Sequence, residues 1–128
     1  MAKIYVASSL MNRENVRSVY DYLISNQHVI TYDWTEHGQV TDIESLAAVG
    51  LKEFNGVVDA DMLIMIMPAR NGSHVEFGVA LALGKPIVIV TGEQDFEHKS
   101  FYYLDNVHIM KDVIGLNDLI HKLLLQDN

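Results

Sequence analysis

Glu76 is the residue around which chemistry is easiest to imagine. It lies in the run Arg70-Asn71-Gly72-Ser73-His74-Val75-Glu76-Phe77-Gly78, between an apolar strand-like segment at 62–67 and another at 87–90. The order reads as strand, glycine-containing loop, helix, strand, with the carboxylate in the helix's first turn. In an α/β sheet the loop after a strand opens onto the ligand crevice, so a carboxylate there is placed for chemistry. The positive end of a helix favours its ionised form. An ionised glutamate in a sugar-binding crevice suits cleavage of a glycosidic bond, where positive charge develops on the anomeric carbon. The spacing Ser73-x-x-Glu76 is also that of a capping box. In that reading Ser73 caps the helix and Glu76 reaches back to its amide.

Other side chains of the same kind are fewer. His74 sits in the same loop-to-helix turn and is a candidate to bind phosphate or to protonate a leaving base, with an exposed helix-entry histidine as the alternative. Tyr32-Asp33-Trp34 supplies aromatic surface that would stack a base or pack the crevice rim. The six histidines, at 28, 37, 74, 98, 108 and 121, lack the paired spacing and accompanying carboxylates of a metal site, and no metal or other cofactor is expected. No GxxxxGK[ST] or GxGxxG follows the first strand, and Met67-Pro68 stands where a phosphoacceptor aspartate would end the third.

Alternating strands and helices must position these groups. Residues 3–7 read as a buried first strand. Asn12 caps a helix whose apolar face is Val16, Val19, Tyr20, Leu23 and Ile24, running to about Asn26. A second strand spans 28–33. Thr41-Asp42-Ile43-Glu44 has capping-box spacing, and Ile43, Leu46, Ala47, Gly50, Phe54 and Val57 then share one helical face, with Gly50 letting the helix sit close to the sheet. Residues 62–67 form an almost wholly apolar central strand, 73–83 a helix, 87–90 and 107–110 two further strands. Val113, Leu116, Leu119, Ile120, Leu123 and Leu124 mark a closing helix. The expectation is one α/β domain over residues 1–128, a flavodoxin-like three-layer sandwich of about five parallel strands in the order 2-1-3-4-5. Its switch point lies between strands 1 and 3, so the loops at 8–12 and 68–73 converge there.

Composition excludes several classes. With 49% apolar and 20% charged residues the chain is globular in character rather than disordered. It carries no apolar run of membrane-spanning length and no basic-then-apolar leader. The absence of cysteine removes disulfides, thiol catalysis and cysteine-ligated zinc. A cytoplasmic location follows as the default. The net charge of −8 argues against a nucleic-acid polymer as partner, while a small anion remains compatible with amides at a helix start.

The segments Lys3-Ile4-Tyr5-Val6-Ala7-Ser8-Ser9, Ala60-Asp61, Gly72 through Glu76-Phe77-Gly78-Val79-Ala80, and Gly84-Lys85-Pro86 resemble the nucleoside 2-deoxyribosyltransferase-like superfamily, which includes the 2′-deoxynucleoside 5′-monophosphate N-glycosidases. The resemblance runs over roughly residues 3–90 and is most specific at 72–86. It implies that Glu76 attacks the anomeric carbon to form a glycosyl-enzyme intermediate, resolved by water or another base. It implies that Glu53, one carbon longer than the usual aspartate, assists the leaving base. Tyr5 then matches the tyrosine of the crevice floor and Ser9 the first-loop serine that binds sugar or phosphate. Ser8, Asn12, Asp33, Trp34, Pro68, Gly72 and Ser73 complete the expected substrate contacts.

Two positions depart from the pattern. Arg70 stands six residues before Glu76, where the transferases carry an acidic base-binding residue, which disfavours base exchange and suits a phosphate or other anion. Met11 stands where the monophosphate glycosidases usually have an arginine, with Arg13 nearby. The implied activity is N-glycosidic cleavage of a (deoxy)nucleotide or nucleoside, by hydrolysis rather than transfer. The alternatives are a non-catalytic nucleotide-binding or sensing module and a TIR-like NAD glycohydrolase. A homodimer or larger homo-oligomer is implied as well.

Overall fold

The computed structural model describes residues 1–125, so the last three residues of the expected domain lie outside it. Five parallel strands form one sheet in the order β2-β1-β3-β4-β5, as the sequence reading anticipated. They are β1 Lys3–Ala7, β2 Val29–Ile30, β3 Met62–Ile66, β4 Ile87–Val90 and β5 Val107–Met110. β1 and β3 lie side by side, with Tyr5 opposite Leu63 and Ala7 opposite Met65. Every residue of β3 and β4 is buried, the pattern of central strands covered on both faces. β2 is only a two-residue edge strand, shorter than the expected 28–33, because the chain turns away after Ile30 toward a 3-10 turn at Trp34–Glu36.

The helices are α1 Arg13–Ser25, α2 Ile43–Asp59, α3 Asn71–Ala82 and the short α4 Leu116–Ile120, which continues as one π-helical turn, His121–Leu125. α1 buries Val16, Val19, Tyr20 and Leu23 but leaves Ile24 exposed. α2 begins one residue later than its predicted box, with Asp42 as N-cap accepting the Ser45 amide. The end of α3 explains Gly84-Lys85-Pro86. Gly84 takes φ +71, a left-handed value that favours glycine. Lys85 then donates to the carbonyls of Val58 and Ala60, at 2.5 Å each, and ties the end of α2 to β4.

α2 packs differently from expectation. Of the predicted face, Val57 is buried, whereas Ile43 is 85% exposed and Phe54 51%. Gly50 has nothing close to its missing Cβ, and the close-approach glycine is Gly56. A Cβ there would lie 3.0 Å from Tyr5 Cδ2 and from Tyr32 Cβ. The flank that meets the sheet is thus small, and the bulky apolar residues of α2 face outward.

Candidate functional site

At the C-terminal ends of β1 and β3 the first loop folds back on the β3 exit. The Ser8 hydroxyl donates to the Ile66 carbonyl at 2.8 Å, and the Asn12 amide donates to Ser8 Oγ at 2.9 Å. Asn12 heads α1 without a side-chain cap bond, its side chain being turned to that tie. Between these loops lies a cavity of about 130 Å³ walled by Ser8, Leu10, Trp34 and His37. Its far side is Glu53 from α2, with Gly72, Ser73 and Glu76 from α3. An apolar groove of about 240 Å³, bordered by Phe54, Val57, Val75 and Val79, opens on the outer side of the same two glutamates.

Glu76 reaches this cavity from the second turn of α3. The helix starts at Asn71 with Arg70 as N-cap, two residues before the predicted start. Ser73 is therefore not the cap: from inside the first turn its buried hydroxyl accepts the Arg70 amide at 3.5 Å. Glu76 does not close a capping box. Its Oε2 accepts the Tyr5 hydroxyl at 2.9 Å, across the interior from β1. The helix end is accordingly too remote to hold Glu76 ionised, and its environment works the other way. Burial first, then the neighbouring Glu53 carboxylate, raise its pKa to about 8, against a smaller lowering by Tyr5. The Tyr5 phenol is itself raised far above its ordinary value by burial and by the two glutamates, so it remains a proton donor.

Ser8, Trp34, Glu53, Gly72, Ser73 and Glu76 thus meet at one cavity, with Tyr5 behind it. Trp34 is a buried wall whose indole Nε1 donates to the Val6 carbonyl at 2.7 Å, not an exposed stacking surface. Ser9 is buried at the head of the first-loop turn, its carbonyl accepting the Asn12 amide. Asp33 caps the turn after β2, accepting from the Thr35 amide at 2.9 Å.

Pro68, Arg70 and His74 belong elsewhere. They line a separate cavity of about 530 Å³ between the β3–α3 loop and the 94–102 segment. His74 is held there on both nitrogens, Nδ1 donating to the Arg70 carbonyl at 2.8 Å and Nε2 bonding the Tyr102 hydroxyl at 2.7 Å. Arg70 is exposed, with Nη2 3.2 Å from Met11 Sδ. No group of metal-ligating side chains occurs among the described residues, and no described helix is long and apolar enough to cross a membrane.

Of the cavity residues, His37 was not assigned to the site from the sequence, and Leu10 entered only as part of the loop at 8–12. Both sit in loops following β1 and β2, on the crevice side of the sheet, and that position was the available signal.

This arrangement defines a flavodoxin-like α/β domain with two glutamates at its switch point. No family model matches the chain, and no curated protein matches it. Among solved structures, the CMP N-glycosidase BcmB of Clostridium botulinum aligns with a TM-score of 0.63, covering 84% of this chain and 87% of that one, at 18% sequence identity. At that identity the likeness is one of fold.

Proposed function

We propose that this domain cleaves the N-glycosidic bond of a nucleoside or nucleotide, with Glu76 as nucleophile and Glu53 as proton donor to the leaving base. The observation that carries the reading is the pair of glutamates in one cavity at the β1/β3 switch point, with Glu76 held by Tyr5. A Glu76 oxygen bonds to the anomeric carbon as the C–N bond breaks, and the base departs with the bonding electrons and a proton from Glu53. Water, deprotonated by Glu53, then attacks the same carbon and releases the sugar and Glu76. Burial and the neighbouring Glu53 oppose ionisation of Glu76 in the empty site, and the Tyr5 hydroxyl works the other way by stabilising ionised Glu76, the form that attacks. The fold shared with a CMP N-glycosidase supports a nucleotide substrate. Hydrolysis is favoured over transfer because Arg70 replaces an acidic base-binding residue. Ser8, Gly72 and Ser73 are the sugar and phosphate contacts of this reading.

The larger cavity favours a second reading. Its 530 Å³, with Phe96, Tyr102, Arg70 and Lys99 in the walls, has room for the remainder of a dinucleotide, as an NAD glycohydrolase would need. We also propose that a second copy of the chain covers the exposed apolar residues Ile43, Leu51, Phe54 and Val75, of which Phe54 and Val75 line the groove beside the glutamates.

The test is release of free base from a panel of nucleosides, ribo- and deoxyribonucleoside monophosphates and NAD, followed by chromatography, with Glu76→Gln as control. Release from a monophosphate that vanishes in Glu76→Gln is the expected result. Release surviving that substitution overturns the nucleophile, nicotinamide release selects the second reading, and binding without release leaves a sensing module.

A further inference from the structure

His37 carries an unanswered polar atom. Its Nδ1 faces the Gly38 carbonyl at 2.8 Å. A carbonyl only accepts, so that nitrogen bears the proton, and in the tautomer with its proton there Nε2 is an acceptor. Nε2 is buried and has no hydrogen-bond partner among the described residues. A buried polar atom left without a partner costs free energy, and such atoms are uncommon enough to require a reason. The ring stands against Tyr32, with centroids 6.4 Å apart, and walls the same small cavity as Glu53 and Glu76.

We propose that His37 is a substrate-binding residue of this site, whose Nε2 accepts a hydrogen bond from a hydroxyl of the sugar. This rests on the reading of the Glu76 cavity as the place where the anomeric carbon sits. At about 130 Å³ the cavity matches a pentose better than a whole nucleotide, so the ligand atoms beside His37 are those of the sugar. A sugar offers the donor that the acceptor lacks; a phosphate dianion, an acceptor itself, does not. In the empty cavity Nε2 is shielded, and the contact forms on a small tilt of the imidazole that keeps Nδ1 on the Gly38 carbonyl. Side-chain adjustments of this size are common on binding. His37 would then discriminate between sugars that keep and sugars that lack the contacted hydroxyl.

The test uses the full chain with imidazole nitrogens labelled, titrated with ribose 5-phosphate, 2-deoxyribose 5-phosphate and a ribonucleoside monophosphate in the Glu76→Gln background. The His37 Nε2 resonance is expected to move at saturation with at least one probe, and less with the sugar lacking the contacted hydroxyl. His37→Phe should lower kcat/KM about five- to tenfold, mainly through KM, for the hydroxylated substrate and leave the deoxy analogue unaffected, the scale of one neutral hydrogen bond. His37→Gln, which returns an acceptor oxygen, should recover most of that loss. An Nε2 resonance that no probe moves, absence of binding by every probe, or an equal loss on all sugars overturns the assignment. Base release that needs Glu76 but ignores His37 removes this inference and leaves the proposed reaction standing. A shifted resonance without base release removes the reaction and leaves a sugar site.

Discussion

The Tyr5 hydroxyl donates to Glu76 Oε2 at 2.9 Å, joining the first strand to the third helix across the interior. Among the described residues it is the hydrogen bond that opposes the burial of the Glu76 charge. Tyr5→Phe removes it without changing the ring. Glu76 then ionises less readily, so the acid limb of the kcat/KM profile should move to higher pH. Activity at neutral pH should fall about 10- to 100-fold, the worth of a hydrogen bond to a charged group. An acid limb that stays in place while activity falls would detach Tyr5 from the ionisation of Glu76.

Stability should carry the same signature with a definite sign. Glu76 ionises near its ordinary 4.5 in the unfolded chain and near 8 in the folded one. Below the lower value both states hold the proton and the contribution is complete. Between the two only the folded state holds it, so stability declines as pH rises, and above the upper value the decline ends. Glu76→Gln has no proton to lose. In urea titrations it should match the native chain near pH 4 and exceed it by about 1–3 kcal/mol at pH 8. A difference that shrinks with rising pH contradicts the raised pKa.

Gly56 should be intolerant of any side chain. The Cβ of alanine would meet Tyr5 Cδ2 and Tyr32 Cβ at 3.0 Å, and Tyr5 is wholly buried in a central strand and cannot yield. Gly56→Ala should cost about 1–3 kcal/mol in chemical denaturation. It should also depress base release by tilting the ring that positions Glu76. Gly50→Ala is the control: open space surrounds it, and alanine favours the helix.

The contrast between those glycines shows what the sequence held and what it hid. Strands 62–66 and 87–90 were legible because buried parallel strands are continuous apolar runs. The order around the switch point followed from that alternation. On α2, however, periodicity reveals an apolar face without saying what it meets. The bulky face is exposed, and the sheet is met by Gly56 and Val57. At α3 a two-residue error in the helix start exchanged the roles of neighbours. With the helix beginning at Asn71, Ser73 and Glu76, three apart, share the side facing the glutamate cavity. His74 turns with Arg70 to the larger cavity and bonds Tyr102. The histidine at the glutamate cavity is instead His37, from a loop whose path no local pattern encodes.

The outward face of α2 makes the last prediction. Ile43, Leu51 and Phe54 on α2 and Val75 on α3 are each more than half exposed, a density of large apolar side chains that isolated surfaces rarely keep. The groove that Phe54 and Val75 border, about 240 Å³, is shared with Glu53 and Glu76, so whatever covers it also shields the carboxylates from water on that side. If the cover is a second copy, Phe54→Lys should convert the dimer to a monomer in light scattering by placing a charge in an apolar contact. Burial within one chain already raises the Glu76 pKa to about 8, and a covering copy would raise it further, so loss of the cover should move the acid limb of kcat/KM to lower pH as kcat drops. A Phe54→Lys protein that is monomeric, like the parent, with an unmoved pH profile would show that no second copy covers this face.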